Sequence, residues 1–103
     1  MSAIIRGTTP TIRYTFSKVD GRELRVAILK IKQNNVVKIE RDITSASIDE
    51  KYVEWILSQE ETLSLDCSRA TISLDWLDLN GMRGAGITKS VVVTNSATNE
   101  VIG

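Results

Sequence analysis

The sequence predicts an all-β domain, an antiparallel sandwich or small barrel of about six or seven strands. Three observations carry that expectation. Apolar residues recur at every second position in several segments, as in Ile12, Tyr14 and Phe16 or Val53, Trp55 and Leu57, while helical spacing is almost absent. The turn dipeptides Asp20-Gly21, Asn34-Asn35 and Asn80-Gly81 punctuate these segments. The segments follow one another at the roughly 8–12-residue intervals of sandwiches and barrels. A chain of 103 residues accommodates this as one domain, residues 1–103, with a single core.

The first full strand runs through Thr11-Ile12-Arg13-Tyr14-Thr15-Phe16, with Ile12, Tyr14 and Phe16 on the buried face. Asp20-Gly21 has the residue types of a hairpin turn, and a second strand extends from about Leu24 to Lys32. Its centre, Val26-Ala27-Ile28-Leu29, is apolar on both faces, as in a strand flanked by others, and Ile28 is assigned inward. Asn34-Asn35 turns the chain into an antiparallel return, Val36 to Arg41, with Val37 and Ile39 sharing a face. After a polar connection, Val53, Trp55 and Leu57 form the buried face of the next strand.

Ser58-Gln59-Glu60-Glu61-Thr62-Leu63 breaks the alternation. Ser58 with Glu61 three residues on has capping-box spacing, so one helical turn over 58–63 should carry the chain between sheets. Ala70, Ile72, Leu74 and Trp76 then share a strand face. Asn80-Gly81 marks a hairpin, the glycine-rich 81–86 stretch its flexible tip, and Ile87 to Thr94 closes the fold, with Val91 and Val93 inward. The polar tail Asn95 to Asn99 follows, before Val101-Ile102.

Composition removes several chemistries. The chain has no His and one Cys, so the base that activates Ser or Cys in Ser-His-Asp and Cys-His sites is missing, and the usual zinc ligand set cannot assemble. Cys67 is expected as a small buried residue. Asp75, Asp78 and Asn80 lack the spacing of a calcium loop and are expected at a solvated strand end. Glu60-Glu61 suits the positive end of a helical turn better than acid–base work. No catalytic, cofactor-binding or metal-binding residue is assigned.

No apolar run approaches the ~18–20 residues of a membrane span, and the first residues lack a secretory h-region, so cytoplasmic synthesis and no membrane partner are expected. Net charge is zero but divided: residues 1–41 carry nine Lys/Arg against three Asp/Glu, and residues 42–103 carry four against ten. Either the halves interleave on neighbouring strands, or the basic and acidic faces of adjacent copies attract. Lys30, Lys32, Lys38 and Arg41 form a local basic patch, but zero net charge and few aromatics argue against nucleic acid. Trp55, Trp76, Tyr14 and Tyr52 would form a sugar platform only if exposed, and their alternation with polar residues favours a core position for both Trp.

Two segments remain: Arg6-Gly7-Thr8-Thr9-Pro10-Thr11-Ile12, and Leu57-Ser58-Gln59-Glu60-Glu61-Thr62-Leu63 about fifty residues later. In order and spacing they resemble a family of small proteins encoded in phages and prophages of Gram-positive bacteria, often near tail genes. Members of that family resemble the N-terminal immunoglobulin-like domain of phage baseplate upper proteins, which holds a receptor-binding apparatus on the tail. The resemblance implies an immunoglobulin-like sandwich and a non-enzymatic structural or adaptor role in a tail or baseplate. Its partners would be other tail proteins or further copies of itself, and it would be made in the bacterial host cytoplasm; whether it stays in the mature virion is left open. The alternative is a carbohydrate- or ligand-binding module. No functional residue is carried over; the Gly-Thr-Thr-Pro bend and the Gln-Glu-Glu-Thr turn have structural uses.

Overall fold

A computed structural model describes residues 3–17, 20–81, 83–85 and 89–95. Over these the chain is an all-β sandwich. Its strands are β1 (Ala3–Ile5), β2 (Thr11–Thr15), β3 (Leu24–Gln33), β4 (Val36–Arg41), β5 (Ser47–Ile48), β6 (Tyr52–Ile56), β7 (Arg69–Asp78), β8 (Arg83–Ala85) and β9 (Lys89–Thr94). A short helix, α1 (Gln59–Leu63), and two 3-10 turns, Gly21–Glu23 and Ile43–Ser45, complete the described elements.

The larger sheet has the order β1-β9-β7-β3-β4, with β8 pairing part of β7, and the smaller sheet is β2-β6-β5. A β4-β3-β7-β9 sheet facing β2-β6-β5 is the arrangement of an immunoglobulin-type sandwich. Every pair is antiparallel but one, since β1 runs parallel to β9 with Ile4 beside Val93. The described strands exceed the six or seven expected because β1, β5 and β8 are only two or three residues long, too short for alternation to register.

The core follows the alternation. Phe16, Ile39, Val53, Trp55, Leu57, Ile72, Leu74, Val91 and Val93 are buried, joined by Ile4, Leu29, Ile31 and Leu65. Ile12, Tyr14 and Trp76 pack against them half-buried. The Trp76 ring meets Phe16 edge-on, 5.7 Å between centroids, and lies over Gly84, where a Cβ would come within 2.2 Å of it. The indole N–H of Trp55 donates to the Asp42 carbonyl at 2.8 Å, so the ring is buried without an orphaned donor.

Two inward assignments are corrected. β3 is central, as expected, but its core face is Ala27, Leu29 and Ile31, which leaves Ile28 half-buried on the outer face beside Val26. Val37 is 43% exposed because the β3–β4 register shifts between Ile31 and Lys32: Ile31 pairs Ile39 while Lys32 pairs Val37, leaving Lys38 as the extra residue of a bulge. A bulge breaks the period of two, so Val37 and Ile39 no longer share a face.

Turn chemistry is partly as expected. Asn34 and Asn35 both take positive φ (52° and 62°), the type I′ hairpin signature. Gly81 (φ 81°) follows the buried Asp78, whose carboxylate accepts from the Asn80 N–H at 2.9 Å, so Asp78 closes a turn and is not a solvated strand end. Asp20-Gly21 is not a hairpin: Asp20 caps a 3-10 turn that carries the chain to the other sheet. Gly21 is needed for space, since a Cβ there would lie 2.3 Å from the Asp49 carbonyl oxygen. Residues 83–85 of the glycine-rich stretch pair with β7 instead of forming a loose tip. Ile87, Val101, Ile102 and the tail beyond Asn95 lie outside the described residues.

The charge halves interleave. Of six ion pairs among the described residues, four join residues 1–41 to 42–103: Arg13–Glu54, Arg22–Glu50, Lys38–Asp66 and Arg41–Glu61. Lys30 and Glu40 approach to 3.8 Å, so most of the local basic patch faces carboxylates.

We predict that Trp55→Ala lowers stability by about 3–5 kcal/mol and Trp76→Ala by less, whereas Val37→Thr stays within about 0.5 kcal/mol. Urea unfolding monitored by circular dichroism reads all three. A Trp55→Ala midpoint equal to the parent's would remove Trp55 from the core.

Candidate functional site

The two segments that carry the sequence resemblance are joined in space. Ile5-Arg6-Gly7-Thr8 makes a turn in which Thr8 N–H donates to the Ile5 carbonyl at 3.3 Å and Gly7 takes φ 84°, a conformation that disfavours any side chain. Opposite it stands α1. Ser58 Oγ accepts from the Glu61 N–H at 3.1 Å and Glu61 Oε1 accepts from the Ser58 N–H at 2.9 Å, a complete capping box at the predicted residues.

Thr62 links the two. Its hydroxyl, fully buried, accepts from the Gly7 N–H at 2.9 Å and donates to the Thr8 carbonyl at 2.9 Å, with the Gln59 carbonyl an alternative acceptor at 3.2 Å. One hydroxyl thereby satisfies a donor and an acceptor of a turn that no strand partners. Arg6 adds a second tie: its guanidinium donates to the Leu63 carbonyl at the end of α1 (2.9 Å) and to Asn95 Oδ1 (2.7 Å), while its own N–H donates to Thr94. Pro10 closes the segment, its carbonyl accepting from the Leu57 N–H at 3.0 Å.

Glu61 extends the junction to the larger sheet. The carboxylate that completes the capping box also accepts from Arg41 of β4 at 2.5 Å, both side chains being about a quarter exposed. On the neighbouring surface, Asp42 accepts from the Thr44 hydroxyl and N–H, and these hydrogen bonds, the hydroxyl's foremost, hold its carboxyl below the ordinary aspartate range. Asp20 is lowered likewise, first by the Arg22 side chain and then by the Arg22 backbone. At the junction Thr8, Thr9 and Glu60 are exposed; the Thr62 hydroxyl and the two terminal nitrogens of Arg6 are engaged, while Arg6 Nε is buried without a hydrogen-bond partner.

A second feature lies between the sheets. Ile12, Tyr14 and Trp55 of the smaller sheet face Leu29, Ile72 and Leu74 of the larger across a cavity of about 300 Å³, with Thr11, Arg13 and Lys89 also on its lining. Lys89 pairs with Ile72 and stands in phase with the buried Val91 and Val93, so a cation occupies a core-facing position at the mouth. That phase is legible in Lys89-Ser90-Val91-Val92-Val93, and it is the signal by which Lys89 could have been found.

The other sequence candidates do not converge. Cys67 is exposed, not buried, because it sits in the tight turn where Ser68 N–H donates to the Asp66 carbonyl. Among the described residues no three of His, Cys, Asp and Glu cluster as metal ligands, and no helix is long and apolar enough to cross a membrane. Comparison with family models, with curated proteins and with solved structures returns no match for this chain.

Two outcomes are expected. Thr62→Val, which keeps shape but leaves the Gly7 N–H and Thr8 carbonyl without a partner, should cost about 1–3 kcal/mol in denaturant unfolding, with Thr62→Ser restoring much of it. A carboxyl whose folded pKa is depressed stabilises the fold above its unfolded value and loses that contribution as pH falls through the folded value, so stability should decline below about pH 4. Asp42→Asn should be less stable than the parent near neutrality and show a shallower acid decline. An unchanged acid slope would mean that the Asp42 cap does not couple to folding.

Proposed function

We propose that this protein is a non-enzymatic structural or adaptor component of a phage or prophage tail or baseplate, made in the host cytoplasm and acting through protein–protein contacts. The observation that carries the reading is the junction around Thr62. The two segments on which the resemblance to phage tail-associated proteins rests form one built unit, so their pairing in the sequence has a common physical cause. Such a unit ties the turn after β1 to α1 at the end of the domain where Thr8, Thr9 and Glu60 are exposed.

Sugar binding fits the geometry less well. A stacking platform needs exposed aromatic faces, whereas Trp55 is 1% exposed with its N–H engaged, and Trp76 is covered by Phe16 and Gly84. Tyr52, half-buried on the smaller sheet, is already stacked by Arg13, whose guanidinium carbon lies 4.1 Å from the ring centre.

Mass spectrometry of particles purified after prophage induction tests the reading. The protein should co-purify with tails through a density gradient, and deleting its gene should leave tails incomplete or unattached. Its absence from particles, together with normal tails in the deletion strain, would overturn the proposal.

A further inference from the structure

We propose that the open side of β2 is a docking edge for one extended segment of a partner protein, a segment with apolar side chains at alternate positions and a carboxylate set against Lys89. This rests on the adaptor reading above and names the chemistry of its contact.

Five of the described strands lie at sheet edges, and they are unequal. β1 and β8 have three residues each and β5 has two. β4 is broken by the bulge at Lys38, and short strands, bulges and edge lysines are the devices that stop a sheet from recruiting another strand. β2 has neither bulge nor Lys, and its one charged side chain, Arg13, is held by Glu54: its five residues, which follow Pro10, pair with β6 in unbroken register, Thr11 with Ile56 through Thr15 with Tyr52, and no described strand pairs with its other side.

The backbone of β2 is set to receive a strand. The Pro10 carbonyl bonds to Leu57 and the Phe16 N–H bonds to the Lys51 carbonyl, so the even-numbered residues turn their polar groups toward β6. In an antiparallel ladder the direction alternates, which points the N–H and C=O of Thr11, Arg13 and Thr15 to the open side. An apolar ligand without a backbone would fill the cavity and leave these groups unanswered. An added strand answers them and seats its inward side chains between Ile12, Leu29 and Leu74. At about 300 Å³ the cavity is at the small end of ligand pockets, a size suited to the side chains of one strand.

Charge selects the occupant. Arg13 is neutralised by Glu54 at 2.8 Å, but Lys89 makes no ion pair among the described residues and stands at the apolar mouth. A carboxylate on the incoming segment would complete it. A second copy of β2 is a poor occupant, because full-length antiparallel self-pairing sets Arg13 against Arg13.

The test uses the full chain with 15N labelling and the synthetic peptide acetyl-Ser-Val-Thr-Ile-Thr-Val-Thr-Asp-amide, whose carboxylate shares the inward face with its apolar side chains. Controls are the same peptide with Lys for Asp, one with Asn for each apolar residue, and sodium octanoate. We expect saturable binding of the Asp peptide and amide exchange at Thr11, Arg13 and Thr15 slowed about tenfold or more. Lys89→Glu should reverse the preference between the Asp and Lys peptides. Proline at an edge position removes only an outward N–H, so Arg13→Pro should fold and lose binding; Thr15→Pro repeats the test without removing Arg13.

Protection of the three amides in the peptide-free protein, or no saturable binding by either the Asp or the Lys peptide, would overturn the proposal. So would octanoate that binds the cavity while the edge amides exchange freely, which would assign a small-ligand pocket instead. Particle proteomics is read separately: a protein present in tails that fails the peptide test keeps its structural role and loses only this docking edge.

Discussion

The fold depends on how the Thr62 hydroxyl holds two pieces of irregular backbone together inside the protein. A five-strand path faces a three-strand sheet, so the smaller sheet alone cannot cover the larger. At the end where β1 and β9 finish, irregular chain must complete the structure, and irregular chain brings unpaired N–H and C=O groups. Thr62 and Arg6 supply partners for those groups from within the same two segments, and Leu57 and Leu65 on either side of α1 are buried as completely as strand residues. Gln33 does similar work further along: its buried amide donates to the Asp66 carbonyl and accepts from the Asp66 N–H, both at 2.8 Å, tying the turn after α1 to β3.

Much of this was legible where one local rule governed the outcome. Alternation placed Val53, Trp55, Ile72 and Leu74 correctly because each lies in an unbroken stretch of ladder, and Leu57 because its N–H continues the β6 pattern to Pro10; the capping box placed α1 because its partners are three residues apart. Legibility failed where the rule was not local. Val37 left the core through a bulge that exists only relative to β3. Ile28 and Leu29 are equally apolar, and which faces inward is decided by β7 and the opposite sheet, not by the strand itself. Gly21 has the residue types of a hairpin, yet its need for glycine comes from Asp49, twenty-eight positions away in the chain.

The candidate site divides in the same way. Both segments stood out as motifs, and the bend at Gly7 and the cap at Ser58 followed from their residues. That the bend and the helical turn touch did not follow, because a threonine in a short polar turn gives no sign that it is fully buried. A buried Thr with a polar neighbourhood marks a tertiary hydrogen bond, and only the partner's position says which one. Lys89 is the opposite case. Its phase with Val91 and Val93 was present in the sequence, within the strand expected from Ile87 to Thr94, but nothing local to that strand says that a cavity opens beside it.

The unequal sheets connect these observations to function. Completing the sandwich at one end with backbone hydrogen bonds leaves its long side as it was, with β2 alone at the margin of the smaller sheet over Leu29, Ile72 and Leu74. A fourth strand on that sheet would close the cavity and remove the edge, whereas bulges or lysines on β2 would guard the edge without closing the cavity. The domain guards β4 with both and β2 with neither. An unguarded edge beside an apolar hollow exposes a free chain to uncontrolled pairing, and the proposed docking segment would remove that liability by completing the sheet.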